Sequence, residues 1–148
     1  MSDAAKVALV TGGNRGIGLA IAKELAAQGV KVIIGHRSGT APSGFESVLI
    51  DVSDTKSVDS AVSEIDAKHG GVDVLVANAG ITKDGLVMRM SDDDFESVVN
   101  TNLTGAFRVA RATSKNMMKK REGRIIFIGS VVGLLGSAGQ VNYSATKS

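Results

Sequence analysis

The sequence predicts an α/β fold in which a mostly parallel sheet is covered on both faces by helices. Three observations carry that expectation. Short β-branched, apolar runs alternate with longer stretches of helical periodicity. The apolar runs read as strands buried on both faces. Glycines fall at the junctions between the two kinds of segment. Alternating units of this kind connect through right-handed crossovers.

The elements follow in order. Val7-Ala8-Leu9-Val10 is the first strand, and Thr11 to Gly18 a glycine-rich turn. An amphipathic helix leads out of it with Ile17, Ile21 and Leu25 on one face, and Gly29 stops it. Val30 to Ile34 is a second strand ending at Gly35. His36 to Gly44 collects Gly, Ser, Thr and the only proline, Pro42, and reads as a loop where many folds of this type hold a helix. Val48-Leu49-Ile50 is a third strand, followed by Asp51-Val52. Ser53 and Asp54 then offer N-caps to a helix with Val58, Val62 and Ile65 on its face, ended by Gly70-Gly71. Val72 to Ala77 is a fourth strand opening onto Asn78-Ala79-Gly80. Ser91 with Asp94 resembles a capping box, and Phe95, Val99, Leu103, Phe107, Ala110, Ser114 and Met117 trace a long helical face. Lys119, Lys120 and Arg121 place cations where the helix dipole favours them. Ile125 to Ile128 is a fifth strand ending at Gly129-Ser130, and a glycine-punctuated loop through Gly133, Gly136 and Gly139 leads to Tyr143 and Lys147.

Composition narrows the function. The 148 residues suffice for one domain with a core. Seventeen basic against 15 acidic side chains leave +2, too little to suggest nucleic acid as partner. With no cysteine and two histidines, thiolate and His-rich metal sites are excluded, so redox chemistry must be borrowed from a cofactor. The N-terminal residues Met1 to Lys6 and the run after them read as neither a signal peptide nor a membrane span, which predicts a cytoplasmic protein.

The turn carries the first chemical signal. Gly12, Gly16 and Gly18, with Asn14, Arg15 and Ile17 between them, let the backbone approach a pyrophosphate at a helix N-terminus. The spacing is G-x-x-x-G-x-G rather than the G-x-G-x-x-G of the usual dinucleotide fingerprint, and a plain tight connection has the same composition. Ligands in such sheets bind at the carboxyl ends of the strands, where Arg37, Asp51, Asn78 to Gly80 and Ser130 also fall. The second strand ends in Gly35-His36-Arg37-Ser38 without an acid to hold a ribose 2′-hydroxyl, while Arg15 and Arg37 suit a 2′-phosphate; this favours NADP(H) over NAD(H). Tyr143, the only tyrosine, and Lys147 share a helix face, so the ammonium favours the phenolate and suits the tyrosine to proton transfer. Ser130 can donate to a carbonyl oxygen as charge develops on it. Each also has a plain reading: Ser130 as a helix cap, Tyr143 as a surface aromatic, Lys147 as a solvated lysine, and Arg15 and Arg37 as exposed arginines.

Taken together, Thr-Gly-x-x-x-Gly-Ile-Gly at 11–18, Asn-Ala-Gly at 78–80, Asn102 in Asn-Leu-Thr-Gly, Ser130 and Tyr-x-x-x-Lys at 143–147 resemble the short-chain dehydrogenase/reductase family, from Lys6 to the last residue. Leu86 to Met90, Asn102 to Arg108 and Gly123 to Ser130 resemble its 3-oxoacyl-[acyl-carrier-protein] reductase branch, especially the actinobacterial, mycolic-acid-pathway kind. The resemblance implies a Rossmann-type doubly wound sheet in which NADPH gives hydride to a ketone while Tyr143 protonates the oxygen. It further implies that Lys147 holds the nicotinamide ribose and tunes Tyr143, that Ser130 polarises the carbonyl, and that Asn102 holds a water for proton relay. Asn102 also reads as a helix-interior residue at a kink near Gly105. By the same analogy Asp51-Val52 border the adenine, Asn78-Ala79-Gly80 the ribose, and Arg121 meets the acidic carrier protein. The alternatives are another family reductase acting on a sugar, steroid or small alcohol, or a truncated NADP-binding fragment without catalysis.

The chain ends one residue after Lys147, whereas family members continue for roughly a hundred more. Residues 1–148 then form one Rossmann domain, incomplete at its C-terminus, with the first five strands in the order 3-2-1-4-5 of the roughly seven that members carry. The absent part is expected to complete the nicotinamide pocket and the contacts of a homotetramer. For the 148-residue piece the expectations are a fraying last helix, weak cofactor binding at most and negligible turnover.

Overall fold

The computed structural model describes residues 5–148. The reading of Met1 to Ala4 as free of a signal segment lies outside them. Five parallel strands form one sheet in the order β3-β2-β1-β4-β5: β1 Val7–Thr11, β2 Lys31–His36, β3 Glu46–Leu49, β4 Val74–Ala77 and β5 Arg124–Phe127. Helices α1 (Gly16–Ala27), α2 (Thr55–His69), α3 (Asp92–Val98), α4 (Gly105–Lys120), α5 (Val131–Leu135) and α6 (Val141–Lys147) complete the chain. The segment from His36 to Gly44 forms no helix, as its composition predicts.

Strand alternation sorts the core into two layers. Val7 and Leu9 of β1, Ile33 of β2 and Leu75 of β4 pack with Val58, Ala61, Val62 and Ile65 of α2 and with Val109, Ala112 and Met117 of α4. Ala8, Val10, Val32, Ile34 and Val76 point the other way, onto Ala22 and the partly buried Leu19, Ile21 and Leu25 of α1. Among the described residues α1 is the only helix on this second face, with Phe45 and Ile128 packed beside it, and Ile126 on the edge strand stays 45% exposed.

Three expectations are corrected. Ile17 does not join the packed face of α1; it is 68% exposed, because the helix starts at the rim of the sheet and its first turn overhangs the strand ends. The stripe Phe95, Leu103 and Phe107 is exposed, and the buried face runs through Val98, Asn102, Gly105, Val109 and Met117. Periodicity marked an apolar face without showing what it meets. Between α3 and α4 the rod also widens into a π-helical turn, Val99–Thr104, where the Gly105 N–H reaches back to the Asn100 carbonyl, so α3 and α4 address different neighbours. Finally, Val131 to Leu135 is a helical turn rather than part of a glycine loop; Ser130 caps it by accepting from the Val132 N–H at 3.3 Å.

All amino ends of the strands lie on one rim, which carries ion pairs. Asp73 accepts from the Val7 N–H (2.9 Å) and the Lys120 ammonium (2.8 Å), while its own carbonyl receives the Arg124 N–H (2.9 Å). Glu46 is held between His69 (2.9 Å) and Lys31 (3.2 Å), and Lys6 pairs with Glu122. The opposite, carboxyl rim carries the cleft.

Candidate functional site

At the carboxyl rim the β1–α1 turn is drawn tight by the Gly12 N–H, which donates to the Gly35 carbonyl at 2.8 Å. Gly16 takes φ +54, a left-handed conformation that an L side chain resists, and the space beside it is open. Gly18 is fixed by contact: a methyl there would lie 2.4 Å from the Gly12 oxygen and 2.5 Å from Asn78 Nδ2. The helix this turn feeds differs from α2, α3 and α5 in its cap. Asp54 caps α2 and Ser91 caps α3, whereas Arg15 makes no capping bond and the first turn of α1 has no acid. The first N–H groups of α1 and the positive end of its dipole are therefore offered to the cleft.

Thr11 and Asn78 brace the turn from behind. The buried Thr11 hydroxyl accepts from the Asn78 and Ala79 N–H groups, both at 3.1 Å, and Asn78 Nδ2 donates to the Thr11 and Gly12 carbonyls at 3.1 and 3.2 Å. Across the cleft, Asn14 Nδ2 donates to the Ser38 carbonyl at 3.1 Å and ties the β1–α1 turn to the loop after β2.

The cleft measures about 540 Å³, within the usual range for small-molecule sites. Of the residues expected at a cofactor, it brings together Gly12, Asn14, Arg15, Gly16, Ile17, Arg37, Asp51, Val52, Asn78, Ala79 and Gly80. Gly18 stands behind the wall, in the turn it allows to close. His36, Ser38, Gly39, Ile50, Ile81 and Thr101 line the cleft as well and were missed. Each adjoins or lies close to an expected residue in sequence, but only the folded loops decide which neighbours face inward. Arg15 and Arg37 are exposed on the rim. Asp51 is held by Ser53, whose N–H and hydroxyl donate to Oδ1 at 2.9 and 2.6 Å; these bonds, with the charges of Arg37 and Arg108, keep its carboxyl below the ordinary aspartate range despite partial burial.

The open cradle at Gly16 and the uncapped α1 N-terminus fit the phosphates of a dinucleotide.

Ser130, Tyr143 and Lys147 do not line this cleft; they stand where β5 and α6 end the described chain. Lys147 Nζ donates to the Ile128 carbonyl at 2.8 Å and lies 5.8 Å from the centre of the Tyr143 ring. Burial pushes the pKa of Lys147 below that of an ordinary lysine. Asn102 lies in the π-helical turn, 5% exposed, with Oδ1 accepting from the Ile81 N–H (2.8 Å) and Nδ2 donating to the Ile81 carbonyl (2.9 Å) and to Thr146 Oγ1 (3.2 Å). It thus joins the cleft wall to the helix of Tyr143. That helix is packed against α3, the π-helical turn and α5 rather than standing alone.

A model of the short chain dehydrogenase family matches residues 6–148. The chain is 54% identical over 139 residues to the 3-oxoacyl-[acyl-carrier-protein] reductase MabA of Mycobacterium avium, covering 94% of this chain and 54% of that protein. Over 158 aligned positions it is 46% identical to the 3-oxoacyl-[acyl-carrier-protein] reductase FabG of Escherichia coli K12, covering 99% of this chain and 64% of that one. The chain therefore spans between about half and two thirds of the length of these relatives. The strand order, the glycine turn and a match running from the first strand through the last helix agree: the chain belongs to the short chain dehydrogenase family.

Proposed function

We propose that this chain carries the cofactor-binding and catalytic part of a cytoplasmic, NADPH-dependent reductase that converts a 3-oxoacyl thioester to the 3-hydroxyacyl thioester in fatty-acid elongation, mycolic-acid elongation included. One observation supports it above the others: Lys147 is pinned to the end of the strand that leads to Ser130, with its ammonium against the ring of Tyr143. The names of the relatives support the substrate class.

The nicotinamide, when bound, supplies the hydride. The chain supplies the rest. Tyr143 would give its hydroxyl proton to the substrate's carbonyl oxygen, and the charge of Lys147 would stabilise the phenolate oxygen left behind. Lys147 also holds the nicotinamide ribose. Ser130 donates to the same carbonyl oxygen, and Asn102 holds a water that returns the proton. Gly12 to Gly18 would receive the pyrophosphate, Arg15 and Arg37 the 2′-phosphate, Asp51 and Val52 would border the adenine, and Asn78 to Gly80 the ribose. Arg121, exposed at the end of α4 with φ +55, presents a cation to an acidic acyl carrier protein. The longer form assembles as a homotetramer.

The test is NADPH consumption with an acetoacetyl thioester, measured on the complete reading frame. Turnover is expected, and Tyr143→Phe is expected to abolish it while NADPH binding is kept. No turnover, or turnover only with sugars or simple ketones, would overturn the assignment.

A further inference from the structure

Tyr143 is unusual in that both of its backbone polar groups are engaged by side chains. Its N–H donates to Asn142 Oδ1 at 2.8 Å, and its carbonyl accepts from Thr146 Oγ1 at 2.8 Å. Neither partner is a surface residue: Asn142 is fully buried and Thr146 is 8% exposed. Asn142 reaches the stretch that leaves β4 past the cleft directly, and Thr146 reaches it through Asn102. Asn142 Nδ2 donates to the Lys83 carbonyl (2.9 Å) and the Asp94 carbonyl (3.3 Å). The Thr146 hydroxyl accepts from Asn102 Nδ2, which also clamps the backbone of Ile81 on the cleft wall. The Thr146 hydroxyl is therefore the one atom through which the amide that grips the cleft wall meets the backbone of Tyr143.

We propose that Thr146, with Asn142 as its counterpart at the start of α6, is a positioning residue that sets where the Tyr143 phenol stands relative to the cleft. A buried hydroxyl that donates and accepts is costly to leave half satisfied, so the relay has one preferred geometry. A seven-residue helix cannot hold that geometry alone. The inference rests on the reading of Tyr143 as the proton donor.

The sequence supplies the readout. Tyr143 is the only tyrosine and there is no tryptophan, so the tyrosine band in near-ultraviolet circular dichroism reports the fixity of this one ring without any turnover. Thr146→Val keeps the shape and removes the hydroxyl; Thr146→Ser keeps the hydroxyl. In the 148-residue chain, Thr146→Val is expected to lose at least half of the tyrosine band with its far-ultraviolet spectrum unchanged, and Thr146→Ser to retain the band. A full band in Thr146→Val, or equal loss in both variants, overturns the proposal. Should Thr146→Val not fold, Thr146→Ala against Thr146→Ser makes the same decision. A complete reading frame inactive on the thioester, with the band still dependent on the hydroxyl, would sink the function and leave the relay standing.

Discussion

A single methyl group decides the shape of the phosphate turn. At Gly18 it would meet backbone oxygen and a committed side-chain amide, neither of which can move without opening the Thr11–Asn78 brace. Gly18→Ala is expected to destabilise the chain by about 1–3 kcal/mol, the usual cost of overpacking, read as a lower urea midpoint. The neighbouring Gly16 fails differently, since a side chain there has room but strains the backbone. At this scale the sequence was informative wherever the physics is local. The glycines between strand and helix announced the turn, and the Tyr143–Lys147 spacing announced a shared face. Asn142 and Thr146 stayed unseen, because what they do depends on Lys83, Asp94 and Asn102, which only the fold brings to them.

Among the elements, the amino rim depends most on charge. Burial works against the ionised form of Asp73, yet its bonds to Lys120 and to the Val7 N–H, with the charge of Lys6, outweigh that and hold its carboxyl below the ordinary aspartate value. The sign follows: a lowered pKa contributes stability that is present above the unfolded-state value and is lost as pH falls through the folded one. Urea unfolding compared at neutral pH and about pH 3 should therefore show a shallower acid loss in Asp73→Asn than in the unaltered chain. Helix ends were readable here, with Asp54 and Ser91 capping as their residue types suggest. A kink at Asn102 near Gly105 was readable too, and it is the π-helical turn; how far that turn swings the packed face was not. The turn adds no residue type of its own, so the apolar stripe through Phe95, Leu103 and Phe107 looked like the packed face. In the structure Phe107 carries the Arg111 guanidinium 5.1 Å above its ring instead.

Across the whole molecule, the cleft draws on loops that follow β1, β2, β3 and β4, so a ligand seated in it braces most of the sheet at once. At a hundred times its dissociation constant, a ligand adds about 2.7 kcal/mol to stability. NADPH is expected to raise the melting temperature of this chain more than NADH at equal concentration, and Arg37→Ala to narrow that difference; equal shifts in the unaltered chain would remove the case for the 2′-phosphate. Fold class was legible because buried parallel strands write short, nearly continuous apolar runs into the sequence, whereas the strand order came from the family resemblance. The half-covered second face was not legible, since a strand's pattern says that it expects cover without saying what provides it. Because every strand runs the same way, the molecule has two poles. The ion pairs Lys6–Glu122, Lys31–Glu46, His69–Glu46 and Lys120–Asp73 belong to one pole, and the cleft opens at the other. A surface lysine of the first pole is thus a handle: tethered to a sensor chip there, the protein would present its cleft outward to the solution.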